Sequence, residues 1–247
     1  HGRFGTRPWA ELLEPAIRLA EDGFEVPAPL AAAAAAELPR FAGRTDFDRH
    51  FGALTAGGVF RQPALAATLR RIQADGAAGF YAGETARLIA AQMQRSGGLI
   101  TTGDLAAYAP EWRPPLAADW RGRTLLLAPP PSSGGLAIRQ LLGMKDALAP
   151  RFEGLAHNSP QYLHLHAEML KRVFADRAEY LGDPDFTDVP LERLADPAYI
   201  AARAAEVDPV GISAIAGVRP GLEPRHTTHF SIADARGNAV ANTYTLN

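Results

Sequence analysis

Apolar side chains in the first hundred residues recur at three- and four-residue intervals, the period of a helix with one buried face. Trp9, Leu12, Leu13, Ala16, Ile17 and Ala20 mark such a face within residues 8–22. Thr6 precedes it, Pro8 lies near its first turn and Gly23 ends it. Residues 28–38 are almost pure alanine and leucine, types that lose little entropy on becoming helical. The pattern predicts two further helices, over 63–74 and 84–95, stopped by Gly76 and by Gly97 and Gly98. Residues 43–58 mix glycine, aspartate and arginine without a period and read as a loop.

From Leu99 the pattern changes. Thr102 is a predicted cap for a one-turn helix reaching Tyr108, with Asp104 suited to its N-terminal end. Residues 112–120 and 123–128 read as strands on either side of Arg121 and Gly122, and Pro114 and Pro115 confine the first to an edge. The run Pro129-Pro130-Pro131-Ser132-Ser133-Gly134-Gly135 breaks the sheet and opens a helix over 136–148. A longer helix is predicted from Pro160 to about Tyr180, capped by Ser159, and a weaker one over 199–206. Residues 219–225 read as an exposed polar loop. They lead into two strands, His226 to Asn247, joined by Ala235-Arg236-Gly237.

Composition narrows the classes. With 247 residues, 47% hydrophobic and 21% charged, the chain is expected to be soluble and to bury one substantial core or two small ones. A net charge of -2 and a pI near 6.4, without a basic stripe, argue against nucleic acid or an anionic membrane as partner. The absence of cysteine excludes disulfides, thiolate nucleophiles and cysteine metal sites. No apolar run is long enough to span a bilayer, and the N-terminus has no signal-peptide pattern. His1 is not Met and Asn247 falls inside a strand pattern, so both ends are expected to be cut.

The terminal hairpin carries the candidate chemistry. A three-residue loop centred on Arg236, a type I turn closed by a left-handed glycine, sets Thr227 opposite Thr245. Strand alternation then puts Asn247 on the face of Thr245. A one-residue slip would move Thr245 to the other face. Threonine is a favoured strand residue, so a Thr–Thr pair is ordinary sheet structure. The sharper alternative is a nucleophile, which needs a base. A threonine made N-terminal by backbone cleavage has one in its own α-amino group, whose reference pKa is ~7.7.

The hairpin, with Thr227-Thr228-His229-Phe230-Ser231, Asp234, Gly237-Asn238-Ala239-Val240 and Thr243-Tyr244-Thr245-Leu246-Asn247, resembles the start of the small subunit of γ-glutamyltransferases, glutathione-hydrolysing Ntn hydrolases. Stretches similar to the family's large subunit follow in the same order: Glu14-Pro15-Ala16, Asp22-Gly23-Phe24, residues 97–105, residues 129–135 and residues 175–186. The resemblance implies an α/β fold of the Ntn-hydrolase type, an αββα sandwich represented in part by a helix-rich segment and a central hairpin. It implies one incomplete domain, with 1–226 belonging to the large subunit and 227–247 to the small one.

The same resemblance implies that Thr227 is the nucleophile of autocleavage between His226 and Thr227 and then of catalysis. Thr245 would position Thr227, and Asn247 would contact the α-amino or α-carboxylate end of the glutamyl group. The implied reaction transfers a γ-glutamyl group from glutathione or a related amide to water or an amine acceptor, without cofactor or metal. The implied product is a two-subunit heterodimer, periplasmic or secreted. The family's donor-carboxylate arginine, substrate-binding aspartate, paired serines and oxyanion glycines match nothing in 1–247, so this segment alone is expected to be inactive. A related acylase with another acyl specificity, or a non-catalytic scaffold, are the alternatives.

Other candidates read as structural. Ser132 to Gly135 at a helix start suits an anion, but lacks P-loop spacing, which argues against a nucleotide; the alternative is a tight strand-to-helix turn in which glycine permits close packing. By the resemblance this stretch is scaffold near the active site, with no catalytic role for Ser133. His164 and His166 lie on different sides of a helix and do not make a metal pair; His226 and His229 have no carboxylate at triad spacing. Asp176, Arg177, Glu179, Asp183 and Asp185 lack the register of a Ca²⁺ loop and read as a charged helix end followed by an Asp-Pro turn.

Overall fold

The computed structural model describes residues 1–43, 45–214 and 227–245, with backbone alone for Thr227 and Thr245. Contacts divide the chain into two compact units, 1–111 and 112–247.

The first unit is built on α1 (Trp9–Glu21), β1 (Phe24–Glu25), α2 (Ala28–Phe41), α3 (Phe47–Phe51), β2 (Val59–Phe60), α4 (Pro63–Asp75), α5 (Ala78–Tyr81), α6 (Gly83–Ser96) and α7 (Thr102–Ala107). The long helices fall where the apolar period places them. Ile17 and Ala20 of α1 and Ala66 of α4 are buried. The two helices are also tied by polar bonds, with Trp9 Nε1 donating to the Ile72 carbonyl at 2.9 Å and Gln73 Nε2 to that of Ala10 at 2.9 Å. The expected loop at 43–58 contains α3, because Thr45 Oγ1 accepts from the Phe47 amide and Phe47 stacks between Phe41 and Phe51 at centroid distances of 4.9 and 4.7 Å. The cap of α7 is Thr101, one residue before the predicted one. It makes a capping box with Asp104, each side chain bonding the other's amide.

The second unit comprises β3 (Leu116–Trp120), β4 (Arg123–Leu127), α8 (Gly134–Ala147), α9 (Ala149–Phe152), α10 (Pro160–Tyr180), α11 (Leu191–Leu194), α12 (Pro197–Ala205), β5 (Thr227–Ala233) and β6 (Ala239–Thr245). The strand predicted from 112 begins only at Leu116, after the two prolines that cannot donate to a ladder. Ser159 caps α10 with Pro160 behind it, as expected, its hydroxyl accepting from the Tyr162 amide. The weaker final helix starts earlier than its pattern indicates, because Asp196 caps it through the Ala198 and Tyr199 amides.

The core of this unit sits among α8, α10 and α12, where Met144, Leu148, Leu165, Met169, Val173, Ile200, Ala204 and Val207 are buried together. A polar knot lies in the same layer. Asp176 of α10 is 4% exposed and accepts from Gln140 Nε2 (2.9 Å), Tyr199 hydroxyl (2.9 Å) and the Arg203 guanidinium (3.2 Å). Burial, and then the bond to Asp176, push the Tyr199 hydroxyl up to about 12. Asp176 lies near the end of α10, where the sequence reading put a charged helix end, but it is buried, and its partners come from two other helices. Among the described residues the strands form three separate antiparallel pairs, β1–β2, β3–β4 and β5–β6, and no helix is long and apolar enough to cross a membrane.

Candidate active site

The β5–β6 hairpin closes through the loop that its sequence predicts. Gly237 N donates to the Asp234 carbonyl at 3.1 Å, Asp234 N donates to that of Asn238 at 3.0 Å, and Gly237 has φ of +83°, where a Cβ would be strained. Asp234 holds the turn from within. Its Oδ1 accepts from the Arg236 and Asn238 amides at 2.9 and 3.0 Å, and its Oδ2 from the Asn238 side chain at 2.8 Å. Those bonds, led by the one from the Asn238 side chain, keep its carboxyl below the usual range.

The resulting register pairs Thr227 with Thr245, His229 with Thr243 and Ser231 with Ala241. This is the register inferred from the turn. Antiparallel pairs alternate between hydrogen-bonded and non-hydrogen-bonded types, and Asp234/Asn238 is a bonded pair, so counting back makes Thr227/Thr245 a non-bonded one. Opposed Cα atoms in such pairs lie about 4.5 Å apart, the closer of the two spacings. His226 and Asn247 lie outside the described residues.

Alternation divides the ribbon into two faces. One carries His229, Thr243 and Ser231; the other carries Phe230, Ile232, Val240 and Tyr244. On the polar face His229 Nδ1 lies 2.6 Å from Thr243 Oγ1, and its Nε2 lies 3.1 Å from Ser231 Oγ. The sequence reading gave His229 a surface or packing role. The structure places its imidazole in a hydroxyl ladder one rung from the Thr227/Thr245 pair. The i, i+2 spacing from Thr227 was the available signal. All described side chains of the hairpin are exposed.

The Pro-Pro-Pro-Ser-Ser-Gly-Gly stretch is a packed turn. Gly135 is buried, and a Cβ there would lie 2.1 Å from the Ala128 carbonyl oxygen, so α8 begins hard against the end of β4. The Ser133 hydroxyl accepts from Arg177 Nε at 3.0 Å and that of Ser132 from the Gly134 amide at 3.4 Å. These bonds support the packing alternative for the stretch. Gly135→Ala is expected to cost about 2–4 kcal/mol, because the obstructing atom is backbone and cannot swing aside. Urea unfolding measures it; a midpoint within error of the parent would contradict the close approach.

Among the remaining candidates, His164, Asp183 and Asp185 are held in structural bonds. His164 Nε2 donates to the Asp208 carbonyl at 2.9 Å. Asp183 Oδ1 accepts from the Asp185 amide at 3.1 Å, a bond typical of an Asp-Pro turn, and both carboxylates pair with Arg113.

Comparison with known proteins gives a consistent answer. The model of the gamma-glutamyltranspeptidase family matches residues 1–247. The glutathione hydrolase proenzyme of Pseudomonas aeruginosa is 56% identical over 247 residues, covering 100% of this chain and 44% of that protein. The acylase ACY 1 proenzyme of Pseudomonas sp. strain SE83 is 38% identical over 255 residues, covering 99% of the chain and 44% of its own length. Among solved structures, the gamma-glutamyltranspeptidase of Pseudomonas nitroreducens complexed with L-DON superposes with a TM-score of 0.85 at 52% identity, covering 90% of this chain and 67% of the other. The fold is therefore a partial α/β fold of the Ntn-hydrolase type, and the chain spans 44% of the length of these curated relatives.

Proposed function

The chain belongs to the gamma-glutamyltranspeptidase family, and from that premise we propose that it carries the Thr nucleophile of a γ-glutamyl-transferring and glutathione-hydrolysing enzyme. The observation that supports this reading is the pairing of Thr227 with Thr245. In the precursor, the Thr227 hydroxyl gives up its proton and attacks the His226 carbonyl carbon. The tetrahedral adduct expels the Thr227 nitrogen, which takes up that proton and leaves as an amine, and water hydrolyses the resulting ester to a His226 carboxylate and the free Thr227 hydroxyl. The boundary at 226/227 is then the boundary between the two subunits of a heterodimer.

The α-amino group so released supplies the base that an internal threonine lacks. With a reference pKa of ~7.7 it takes the hydroxyl proton near neutral pH and returns it to the departing amine. The γ-glutamyl group passes to the Thr227 oxygen and then to water or an amine acceptor. Thr245 positions the nucleophile from the adjacent strand, and Asn247 contacts the α-amino or α-carboxylate end of the glutamyl group. A periplasmic or secreted location belongs to the same reading.

A specific observation favours a second acyl class, since an acylase is 38% identical over nearly the whole chain. Substrates separate the two. A γ-glutamyl anilide and its glutaryl analogue differ only in the α-amino group. A site that hydrogen-bonds that group should discriminate by about 10²-fold or more in kcat/KM in the full-length enzyme. Equal or faster turnover of the glutaryl compound would establish the acylase reading instead.

A further inference from the structure

Away from the turn, the side-chain tie between β5 and β6 among the described residues is the one from His229 to Thr243. Its place in the ladder gives it weight. Counting from the bonded pair Asp234/Asn238, Thr228/Tyr244 and Phe230/Asn242 are bonded pairs, and His229/Thr243 falls between them as a non-bonded one. Such a pair has no backbone bond across it, and its Cα atoms approach to about 4.5 Å, the spacing at which opposed side chains meet. His229 Nδ1 and Thr243 Oγ1 do so at 2.6 Å, while Ser231 Oγ, 3.1 Å from Nε2, holds the far side of the same ring. With both nitrogens engaged, the imidazole is fixed in one orientation.

Thr227/Thr245 is the next pair of the non-bonded type, two residues further along each strand. It too lacks a backbone bond across it, so Thr227 is set opposite Thr245 by the ladder that ends at Thr228/Tyr244. A two-stranded ribbon is marginally stable by itself, and chain ends fray first. Scission at 226/227 sharpens that weakness. Thr227 then loses its covalent tie to His226 and is held from the β5 side alone.

We propose that His229 is a positioning residue: its bond to Thr243 clamps the ribbon beside the Thr227/Thr245 pair and keeps the mature Thr227 in register with Thr245. The inference rests on the reading of Thr227 above. His229 touches no reacting atom in this account and carries no proton. Its effect therefore belongs on kcat, through the orientation of the nucleophile, and leaves substrate affinity unchanged. It also belongs to the mature enzyme more than to scission, since in the precursor Thr227 is still bonded to His226.

The test measures turnover of γ-glutamyl anilide, and scission by intact mass, in the full-length parent, H229A, H229N, H229Q, T243V, the H229A/T243V double variant and T227A. H229A and T243V should each lower kcat about fivefold, which corresponds to about 1 kcal/mol for a cross-strand pair, with KM within about twofold. The double variant should be no slower than either single one, because both changes remove the same bond. H229N should recover most of kcat, since its amide presents a donor or an acceptor where Nδ1 stood, whereas H229Q, whose amide reaches towards the Nε2 position, should not. Every variant except T227A should be cut to completion. A kcat of H229A within twofold of the parent, a loss confined to KM, an additive loss in the double variant, H229N as slow as H229A, or an H229A chain that stays uncut would each overturn the clamp. An uncut parent, or a T227A chain that is cut or active, would instead overturn the reading of Thr227 itself.

Discussion

Thr227→Ala in the full-length protein is expected to abolish turnover of γ-glutamyl anilide, by more than about 10⁴-fold, because no acyl-enzyme can form without the hydroxyl. The same change removes the attacking atom of scission, so the chain should remain in one piece. Thr227→Ser is the informative contrast. Serine keeps the hydroxyl and, after scission, the α-amine, but loses the methyl group that restricts χ1. It should cut and turn over at reduced rates, with the loss in kcat rather than KM, since the reacting atom is poorly oriented while the glutamyl contacts are unchanged. Substantial activity in Thr227→Ala would move the nucleophile elsewhere.

Asp176→Ala should be the most destabilising substitution in the second unit, by about 3–5 kcal/mol, since removing one partner of a buried ion pair strands the other. Three donors converge on this carboxylate, from Gln140, Tyr199 and Arg203, and none has a neighbouring carboxylate that could replace it equally. Arg203 retains Glu206, but through a side chain that is half exposed and so compensates weakly. Asp176→Asn does not rescue the site, because its amide group would face a donor. Adding Tyr199→Phe to Asp176→Ala should recover about 1 kcal/mol by removing one orphaned hydroxyl. Denaturant unfolding of the set measures both effects. An Asp176→Ala variant within 1 kcal/mol of the parent, on the scale of a surface substitution, would contradict the knot.

Many local devices were legible in the sequence, though the caps Thr101 and Asp196 were not read, and the tertiary ones were not legible. Ser159-Pro160, Gly76 and Gly97 delimit helices through the chemistry of single residues, so α4, α6 and α10 lie where the pattern puts them. The hairpin register followed from Asp234 to Asn238 alone, because a three-residue turn leaves the strands one way to pair. By contrast, Glu168 and Asp176 carry charges that a pattern reading sends to the surface. Their burial is set by cations and hydroxyls on α10, α12 and residues 206–213, which only the folded chain assembles. The site divides in the same way. The Thr227/Thr245 pairing was derivable from turn chemistry, whereas the roles of Thr227, Thr245 and Asn247 came from resemblance, and the His229 ladder emerged only from the structure.

The central claim is that Thr227 becomes an N-terminal residue by its own attack on the preceding peptide bond. The direct measurement is the intact mass, with N-terminal sequencing, of the purified full-length protein. The account predicts two polypeptides, the second beginning Thr227-Thr228-His229-Phe230, and a single uncut chain in Thr227→Ala. One uncut chain in the parent, a new terminus elsewhere, or the same cut in Thr227→Ala would contradict it.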